Sequence, residues 1–167
     1  MIAMFTTKHR PRMASGHDID DPPPLNQHWQ QSNGVRNDPT TSHILIVDDD
    51  PELLNLVSRM VACLGYASEV AGDAMDALVY LKKRYYNLVL TDYNMPFIDG
   101  YQLADQIKRC NAGTKVIIMT GHCEEAIITM LNASDAVDGL LLKPFNLVTL
   151  KEKIDVVSQL QVDSLAI

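Results

Sequence analysis

The sequence predicts an α/β protein in which a five-stranded parallel sheet is doubly wound and carries helices on both faces. Five short apolar segments alternate with five segments in which apolar residues recur at helical spacing. Strands that alternate with helices pair in parallel, because each helix returns the chain to the end of the sheet from which it left. The apolar segments are continuous rather than alternating, which is typical of strands covered on both sides.

The first strand is predicted at residues 44–47, and three aspartates come directly after it. The last of the three, Asp50, is the expected N-cap of the first helix, because Pro51 suits the first helical position. Gly65 is expected to close this helix. Its apolar residues at helical spacing are Leu53, Leu54, Leu56, Val57, Met60, Val61 and Leu64.

The second strand is predicted at residues 66–71 from a weaker pattern, and the second helix begins at Asp73. The third strand, residues 88–90, runs into a single carboxylate, Asp92. The proline and the glycine that follow break regular structure before a third helix begins. A carboxylate at the C-terminal end of a buried strand lies where open α/β sheets place their chemistry.

The fourth strand is predicted at residues 116–119 and ends at Thr120. The fourth helix, residues 124–133, is expected to turn four apolar residues toward the sheet. These are Ala126, Ile127, Met130 and Leu131.

The fifth strand, residues 139–142, ends at Lys143, and Asn146 is the expected N-cap of the fifth helix. The apolar residues expected on one face of this helix are Leu147, Leu150, Ile154, Val157 and Leu160.

One folded domain is predicted at residues 42–161, between an N-terminal arm and a short C-terminal tail at residues 162–167. The arm, residues 1–41, is rich in proline, glutamine and asparagine without any period. Such a composition predicts a disordered or weakly ordered segment. The arm contains as many Lys and Arg as Asp residues, so the excess behind the formal net charge of -7 lies in the rest of the chain.

The acidic domain and the scattered cysteines narrow the function classes. An acidic surface repels phosphate backbones, so direct nucleic-acid binding is not expected, whereas a divalent cation or a basic partner surface suits it. Cys63, Cys110 and Cys123 lack zinc-site spacing and are expected to be reduced, structural thiols of a cytoplasmic protein. No apolar run approaches the roughly 18 residues of a membrane helix, and no secretory signal is expected.

Polar side chains follow four of the five predicted strands at the point where each strand ends. They are Asp48 and Asp49, Asp92, Thr120 and Lys143. Because parallel strands end at one edge of a sheet, we expect these groups to lie together. Crowded carboxylates need a compensating cation, and oxygen-only ligands suit Mg²⁺, with Mn²⁺ as a substitute. A carboxylate beside a metal ion and an ammonium is suited to attack phosphorus.

These residues resemble the receiver domain of two-component response regulators, of the stand-alone type that chemotaxis regulators represent. The motifs occur in order over about residues 43–160. They are Val47-Asp48-Asp49, Asp92-Tyr93-Asn94-Met95-Pro96 with Asp99-Gly100, Thr120-Gly121, and Lys143-Pro144-Phe145. The resemblance implies a flavodoxin-like fold with strand order 2-1-3-4-5.

The resemblance also implies roles for the residues at the strand ends. Asp92 is expected to accept a phosphoryl group from a phosphohistidine of a sensor histidine kinase or of a histidine phosphotransfer protein. The expected ligands of Mg²⁺ are Asp48, Asp49, Asp92 and the backbone carbonyl of Asn94. Thr120 is expected to hydrogen-bond a phosphoryl oxygen, and Lys143 to pair with the same group. The Lys143–Pro144 peptide bond is expected to be cis.

The sequence departs from the family at Leu140, where receivers often carry an aromatic residue that swings inward on activation. The signal is therefore expected to travel by the loop after Thr120 or by rearrangement of the fourth helix. The protein is expected to be a signalling phosphoacceptor, catalysing only its own phosphorylation and dephosphorylation. Its output is expected through contacts with an unknown protein or a phosphorelay. A homodimer through the fourth helix, fifth strand and fifth helix is a further expectation.

Two other functions remain open at this point. A phosphatase of the haloacid-dehalogenase type also uses an Asp nucleophile and Mg²⁺, but it needs a second Asp two residues later, where this chain has Asn94. A flavodoxin-like cofactor binder needs a phosphate loop after the first strand, where this chain has an acidic triplet that repels phosphate.

Overall fold

The computed structural model describes residues 43–121 and 124–159, in which five strands alternate with five helices. The strands are β1 (His43–Val47), β2 (Ala67–Ala71), β3 (Leu88–Asp92), β4 (Lys115–Thr120) and β5 (Gly139–Leu142). The helices are α1 (Pro51–Cys63), α2 (Ala74–Lys83), α3 (Gly100–Cys110), α4 (Glu125–Asn132) and α5 (Leu147–Gln159). The predicted arm, residues 1–41, and the predicted tail, residues 162–167, lie outside the described residues.

The strands form one parallel sheet in the order β2-β1-β3-β4-β5, which confirms the predicted fold class. The three central strands are almost wholly buried, as continuous apolar runs require. β2 lies at an edge, and in it only Ala71 is fully buried. An edge strand needs fewer apolar residues, which explains why its sequence signal is weaker.

Alternate residues of the central strands feed two separate apolar layers, because successive side chains of a strand point to opposite faces. On one face Leu45, Val89 and Ile118 lie in a cluster with buried residues of α2, α3 and α4. On the other face Ile46 and Ile117 lie in a cluster with buried residues of α1 and α5. Helices on both faces hold the strand ends in fixed positions along one edge.

The helix starts follow the predicted capping residues. The Asp50 side chain accepts hydrogen bonds from the N–H groups of Glu52 and Leu53, and Pro51 occupies the first turn. Asn146 accepts from the N–H of Thr149, which confirms it as the cap of α5. These bonds satisfy N–H groups that have no partner inside a helix.

Some of the predicted inward faces are wrong. In α4, Leu131 is buried and Ile127 packs against the core, but Ala126 and Met130 are exposed. α4 has only eight residues, and it touches the core along a narrow stripe. In α5, Leu147 is 38% exposed, because it lies in the first turn, beyond the buried part of the face. Leu56 in α1 is likewise exposed, and Leu160 lies outside the described residues.

The expected structural role of the cysteines is also wrong in one case. Cys63 is a free, exposed thiol at the end of α1, and Cys110 is a free, partly buried thiol at the end of α3. Cys123 lies outside the described residues.

An ion-pair cluster lies where β4 and β5 begin, at the end of the sheet opposite the strand C-termini. The Asp138 carboxylate accepts hydrogen bonds from Lys108 Nζ at 2.7 Å, Lys115 Nζ at 3.0 Å and the Val116 N–H at 2.8 Å. Burial raises the pKa of Asp138, but these donors lower it more, so the net pKa lies below the ordinary carboxyl value. Asp138 therefore ties α3, β4 and the start of β5 together.

Replacing Asp138 by Asn is expected to lower the free energy of unfolding at neutral pH by about 3 kcal/mol, because two shielded lysines lose their counter-charge. A depressed folded-state pKa gives stability that is present above the unfolded value of about 3.9 and is lost as pH falls through the folded pKa. Urea unfolding of both proteins over a pH series measures the difference. The gap should be constant from neutral pH to about 4 and shrink below it. Asp135→Asn, an exposed change nearby, is the control; a gap unchanged down to strongly acid pH would contradict this role.

Candidate functional site

Four strands bring the predicted polar residues to one edge of the sheet. Asp48 follows β1, Asp92 ends β3, Thr120 ends β4 and Lys143 follows β5. Their strands are neighbours in the parallel sheet, so the four residues lie along its C-terminal edge. Asp48, Asp92 and Thr120 are all buried, and Lys143 is partly buried. Buried polar groups at the end of an apolar sheet mark this edge as the site.

Lys143 joins the two buried carboxylates directly. Its Nζ lies 3.0 Å from Asp48 Oδ2 and 2.5 Å from Asp92 Oδ1. The other oxygen of each carboxylate accepts a backbone hydrogen bond, from the N–H of Asp50 at 2.9 Å and from the N–H of Asn94 at 2.7 Å. Both carboxylates are therefore fixed in orientation from two sides.

The charges of the site are unbalanced. Burial raises the pKa of Asp92, and the Asp48 charge raises it further, while Lys143 and the N–H of Asn94 act in the opposite direction; the net change is upward. Burial lowers the pKa of Lys143, but the hydrogen bonds and charges of Asp92 and Asp48 outweigh it, so its pKa is raised. One ammonium shared by two buried carboxylates leaves one negative charge without a counter-charge.

Thr120 is held beside this pair by the backbone. The N–H of Lys143 donates to the Thr120 carbonyl at 2.8 Å, and Thr120 pairs with Leu142 in the sheet. The predicted cis Lys143–Pro144 bond is confirmed. The structure thus brings together Asp48, Asp92, Thr120 and Lys143.

Asp49 behaves differently from its neighbour Asp48, because its side chain is exposed. In the part of the chain that the structure describes, no three His, Cys, Asp or Glu side chains form a group able to hold a metal ion. The N–H of Asn94 contacts Asp92, while the predicted ligand is its carbonyl. The ligand roles of Asp49 and Asn94 therefore stay predictions.

The residues present fit Mg²⁺ in chemistry and charge. Asp48 Oδ2 and Asp92 Oδ1 share one cation and carry an excess of negative charge that a divalent ion would compensate. Asp49, the next residue along the chain, has an exposed carboxylate. Oxygen donors with net negative charge are the ligands that Mg²⁺ prefers.

Gly100 packs against the main chain of Asp92, and the sequence pattern did not reveal this contact. A Cβ at Gly100 would collide with the Asp92 carbonyl oxygen and lie 2.9 Å from its carbonyl carbon. The Gly100 N–H donates to the Tyr93 carbonyl at 3.0 Å. Gly100 is the first residue of α3 rather than only a break in regular structure. A glycine is required because α3 begins in contact with the end of β3.

Gly100→Ala is expected to lower the free energy of unfolding by about 1–3 kcal/mol, since the added methyl group forces the backbone of Asp92 or α3 to move. Urea unfolding measures the change. Gly72→Ala is the matched control, because a Cβ there has nothing within 4 Å. Equal stability of the two variants would show that the contact is easily relieved.

Leu140 lies where the resemblance to receivers leads us to expect an aromatic residue. It is partly buried and packs against the core cluster that contains Leu131 of α4 and Ile118 of β4. Leucine has no aromatic ring, and this side chain already packs against the core, so the inward swing of an exposed ring does not apply here. Leu140 is thus part of the apolar packing on this face of the sheet.

Comparison with known proteins identifies the family. The family model of the response regulator receiver domain matches residues 44–155. The chain belongs to this family. The receiver is 38% identical over 117 residues to chemotaxis protein CheY-3 of Vibrio cholerae, covering 67% of this chain and 88% of that one. It is 35% identical over 111 residues to the sensor histidine kinase RcsC of Escherichia coli, covering 65% of this chain but only 11% of RcsC.

A solved structure gives the same result. The response regulator TrrA of Thermotoga maritima, in complex with Mg²⁺ and BeF, matches the receiver with 28% identity and a TM-score of 0.62. The match covers 70% of this chain and 99% of that one. The prediction of a phosphoacceptor signalling domain is thereby confirmed at the level of the family, and the haloacid-dehalogenase alternative is not supported. None of the helices in the described residues could span a membrane.

Proposed function

We propose that this receiver accepts a phosphoryl group on Asp92 from a phosphohistidine, in a reaction that depends on Mg²⁺. The contact of Lys143 Nζ with both Asp92 and Asp48 carries the proposal. It holds a buried nucleophile beside a fixed positive charge at the one edge of the sheet where four strand ends deliver polar groups. Charge that develops on a transferring phosphoryl group is stabilised by this kind of preorganised cation.

Phosphoryl transfer to Asp92 exchanges a phosphorus–nitrogen bond of the donor for a phosphorus–oxygen bond. An oxygen of Asp92 forms a bond to phosphorus, the bond from phosphorus to the imidazole nitrogen of the donor breaks, and the imidazole leaves with the electron pair. Lys143 stays beside the phosphoryl group on Asp92, and the Thr120 hydroxyl donates a hydrogen bond to one of the phosphoryl oxygens. Mg²⁺ held by Asp48, Asp49, Asp92 and the Asn94 carbonyl would supply the positive charge that the phosphoryl oxygens require.

The proposed partners are a sensor histidine kinase or a histidine phosphotransfer protein on the input side and a protein target on the output side. The relatives support this because they include a chemotaxis regulator and the receiver part of a sensor kinase. Exposed apolar residues on α4, β5 and α5 are compatible with the predicted homodimer face, and a cytoplasmic location remains part of the proposal. The apolar residues are Met130, Leu142, Leu147, Val148 and Val156.

The full chain incubated with acetyl phosphate and Mg²⁺ is expected to gain the mass of one phosphoryl group. Intact-mass spectrometry measures the gain, and a parallel sample with EDTA is expected to stay unmodified, because the crowded carboxylates need a divalent cation. An unmodified chain under conditions that label a known receiver would contradict the proposal.

A further inference from the structure

The loop between β3 and α3 exposes an aromatic side chain completely. Phe97 is 100% exposed, whereas the other exposed large apolar side chains in the described residues are 38–63% exposed. Its neighbour Met95 is buried at 8% exposure. The loop therefore buries one apolar side chain and presents the other to solvent.

The backbone conformation of Phe97 is unfavourable as well as its exposure to solvent. Its φ is +67°, and the N–H of Ile98 donates to the Pro96 carbonyl at 2.8 Å, which closes a three-residue turn around Phe97. This is the rarer form of γ-turn, and a left-handed φ is strained for a bulky residue. A glycine or asparagine suits this position better. Phe97 thus stabilises the isolated receiver neither through its backbone nor through packing.

The rest of the loop forces this conformation. The Gly100 N–H donates to the Tyr93 carbonyl and closes the loop, while Asp99 and Gln102 form a capping box at the start of α3. Conformational strain that the surrounding structure maintains is often found at functional sites.

The loop also places Phe97 beside the phosphoacceptor. Gly100 contacts the backbone of Asp92, and three residues of extended chain span at most about 11 Å, so the Phe97 backbone stays close to the end of β3. A protein that brings a phosphohistidine to Asp92 must cover the surface around the end of β3, where Phe97 lies. Small phosphodonors need no contact with it.

We propose that Phe97 is an apolar anchor for the surface of the donor protein that carries the phosphohistidine, and that it fills an apolar depression next to that histidine. The inference rests on the proposed function of Asp92. Aromatic side chains are enriched at protein interfaces, where burial of the ring gives affinity. A protein donor gains from this contact, and acetyl phosphate does not.

The test compares wild type with Phe97→Asn, which keeps the left-handed backbone and removes the ring. The protein donor is taken from a panel of phosphorylated kinase cores and histidine phosphotransfer domains as the member that labels the wild type fastest. Phe97→Asn is expected to lower kcat/KM for transfer from this donor about tenfold or more, as loss of a buried aromatic ring implies. Its labelling by acetyl phosphate should match that of the wild type.

Two controls separate the anchor from other effects. Phe97→Tyr is expected to restore transfer, since it keeps the ring. Val79→Ser, which removes an apolar residue that is 45% exposed in α2, is expected to change neither donor reaction.

Equal transfer from the protein donor to wild type and Phe97→Asn would overturn the proposal. So would equal losses with both donors, which would mean a damaged site, or a loss of self-association in Phe97→Asn, which would make a second copy the occupant. If acetyl phosphate labels the wild type and no protein donor does, the anchor is also wrong while the phosphoacceptor stands. If acetyl phosphate itself fails, the proposed function fails first.

Discussion

Asp92→Asn is expected to abolish labelling by acetyl phosphate and to raise the stability of the fold. The carboxamide keeps the shape of the side chain but lacks the nucleophilic oxygen charge. It also removes one of the two buried carboxylates that share the ammonium of Lys143, so the uncompensated negative charge disappears. Intact-mass spectrometry and thermal unfolding without Mg²⁺ measure the two effects.

The matched control for this variant is Asp105→Asn. Asp105 pairs with Arg109 on the surface of α3, so its loss is expected to leave labelling at the wild-type level. Full labelling of Asp92→Asn would remove Asp92 from its proposed role. A large loss of stability would contradict the expected stabilisation. It would show that the attraction between Asp92 and Lys143 exceeds the repulsion between Asp92 and Asp48.

Lys143→Ala is expected to lower the free energy of unfolding without Mg²⁺ by about 3 kcal/mol, since it leaves two buried carboxylates without their cation. Asp48 and Asp92 side chains are only 2% and 10% exposed, so water does little to replace the ammonium. Addition of Mg²⁺ is expected to stabilise this variant more than the wild type, because the ion then compensates a larger charge. The labelling rate should fall about 100-fold, as with loss of one transition-state donor.

Urea unfolding with and without Mg²⁺ measures the effect on stability, and the time course of intact mass measures the rate. Lys151→Ala is the control, because Lys151 lies on the surface of α5 and forms an exposed ion pair with Asp155 four residues away. In an Asp92→Asn background, Lys143→Ala should cost less than in the wild type, since one carboxylate is already neutral. The same cost in both backgrounds would contradict the direct pairing.

The sequence predicted the elements that local chemistry determines. Strand ends were clear where a polar residue interrupts an apolar run, as at Asp48, Asp92 and Lys143. Helix starts were clear where a capping side chain precedes a helix, as at Asp50 and Asn146. These signals lie within a few residues of each other, so no knowledge of the tertiary structure is needed to find them.

Other features depend on contacts between distant segments and escaped prediction. Helical spacing could not show which stripe of α4 meets the sheet, because Ala126 and Met130 are apolar residues like Leu131. The strand ends predicted that Lys143 and Asp48 lie together, but not the direct ion pair between these residues, which are 95 positions apart. The contact of Gly100 with Asp92 forms because the loop folds back onto the end of β3. A glycine at the start of a helix was a usable signal, since glycine permits close approach of two backbones.

The site of phosphorylation tests the central claim most directly. After reaction with acetyl phosphate and Mg²⁺, borohydride reduction converts an aspartyl phosphate to homoserine, and tandem mass spectrometry of proteolytic peptides locates it. We expect homoserine at Asp92. Homoserine at Asp48, Asp49 or any other position, with Asp92 unchanged, would contradict the account of the site.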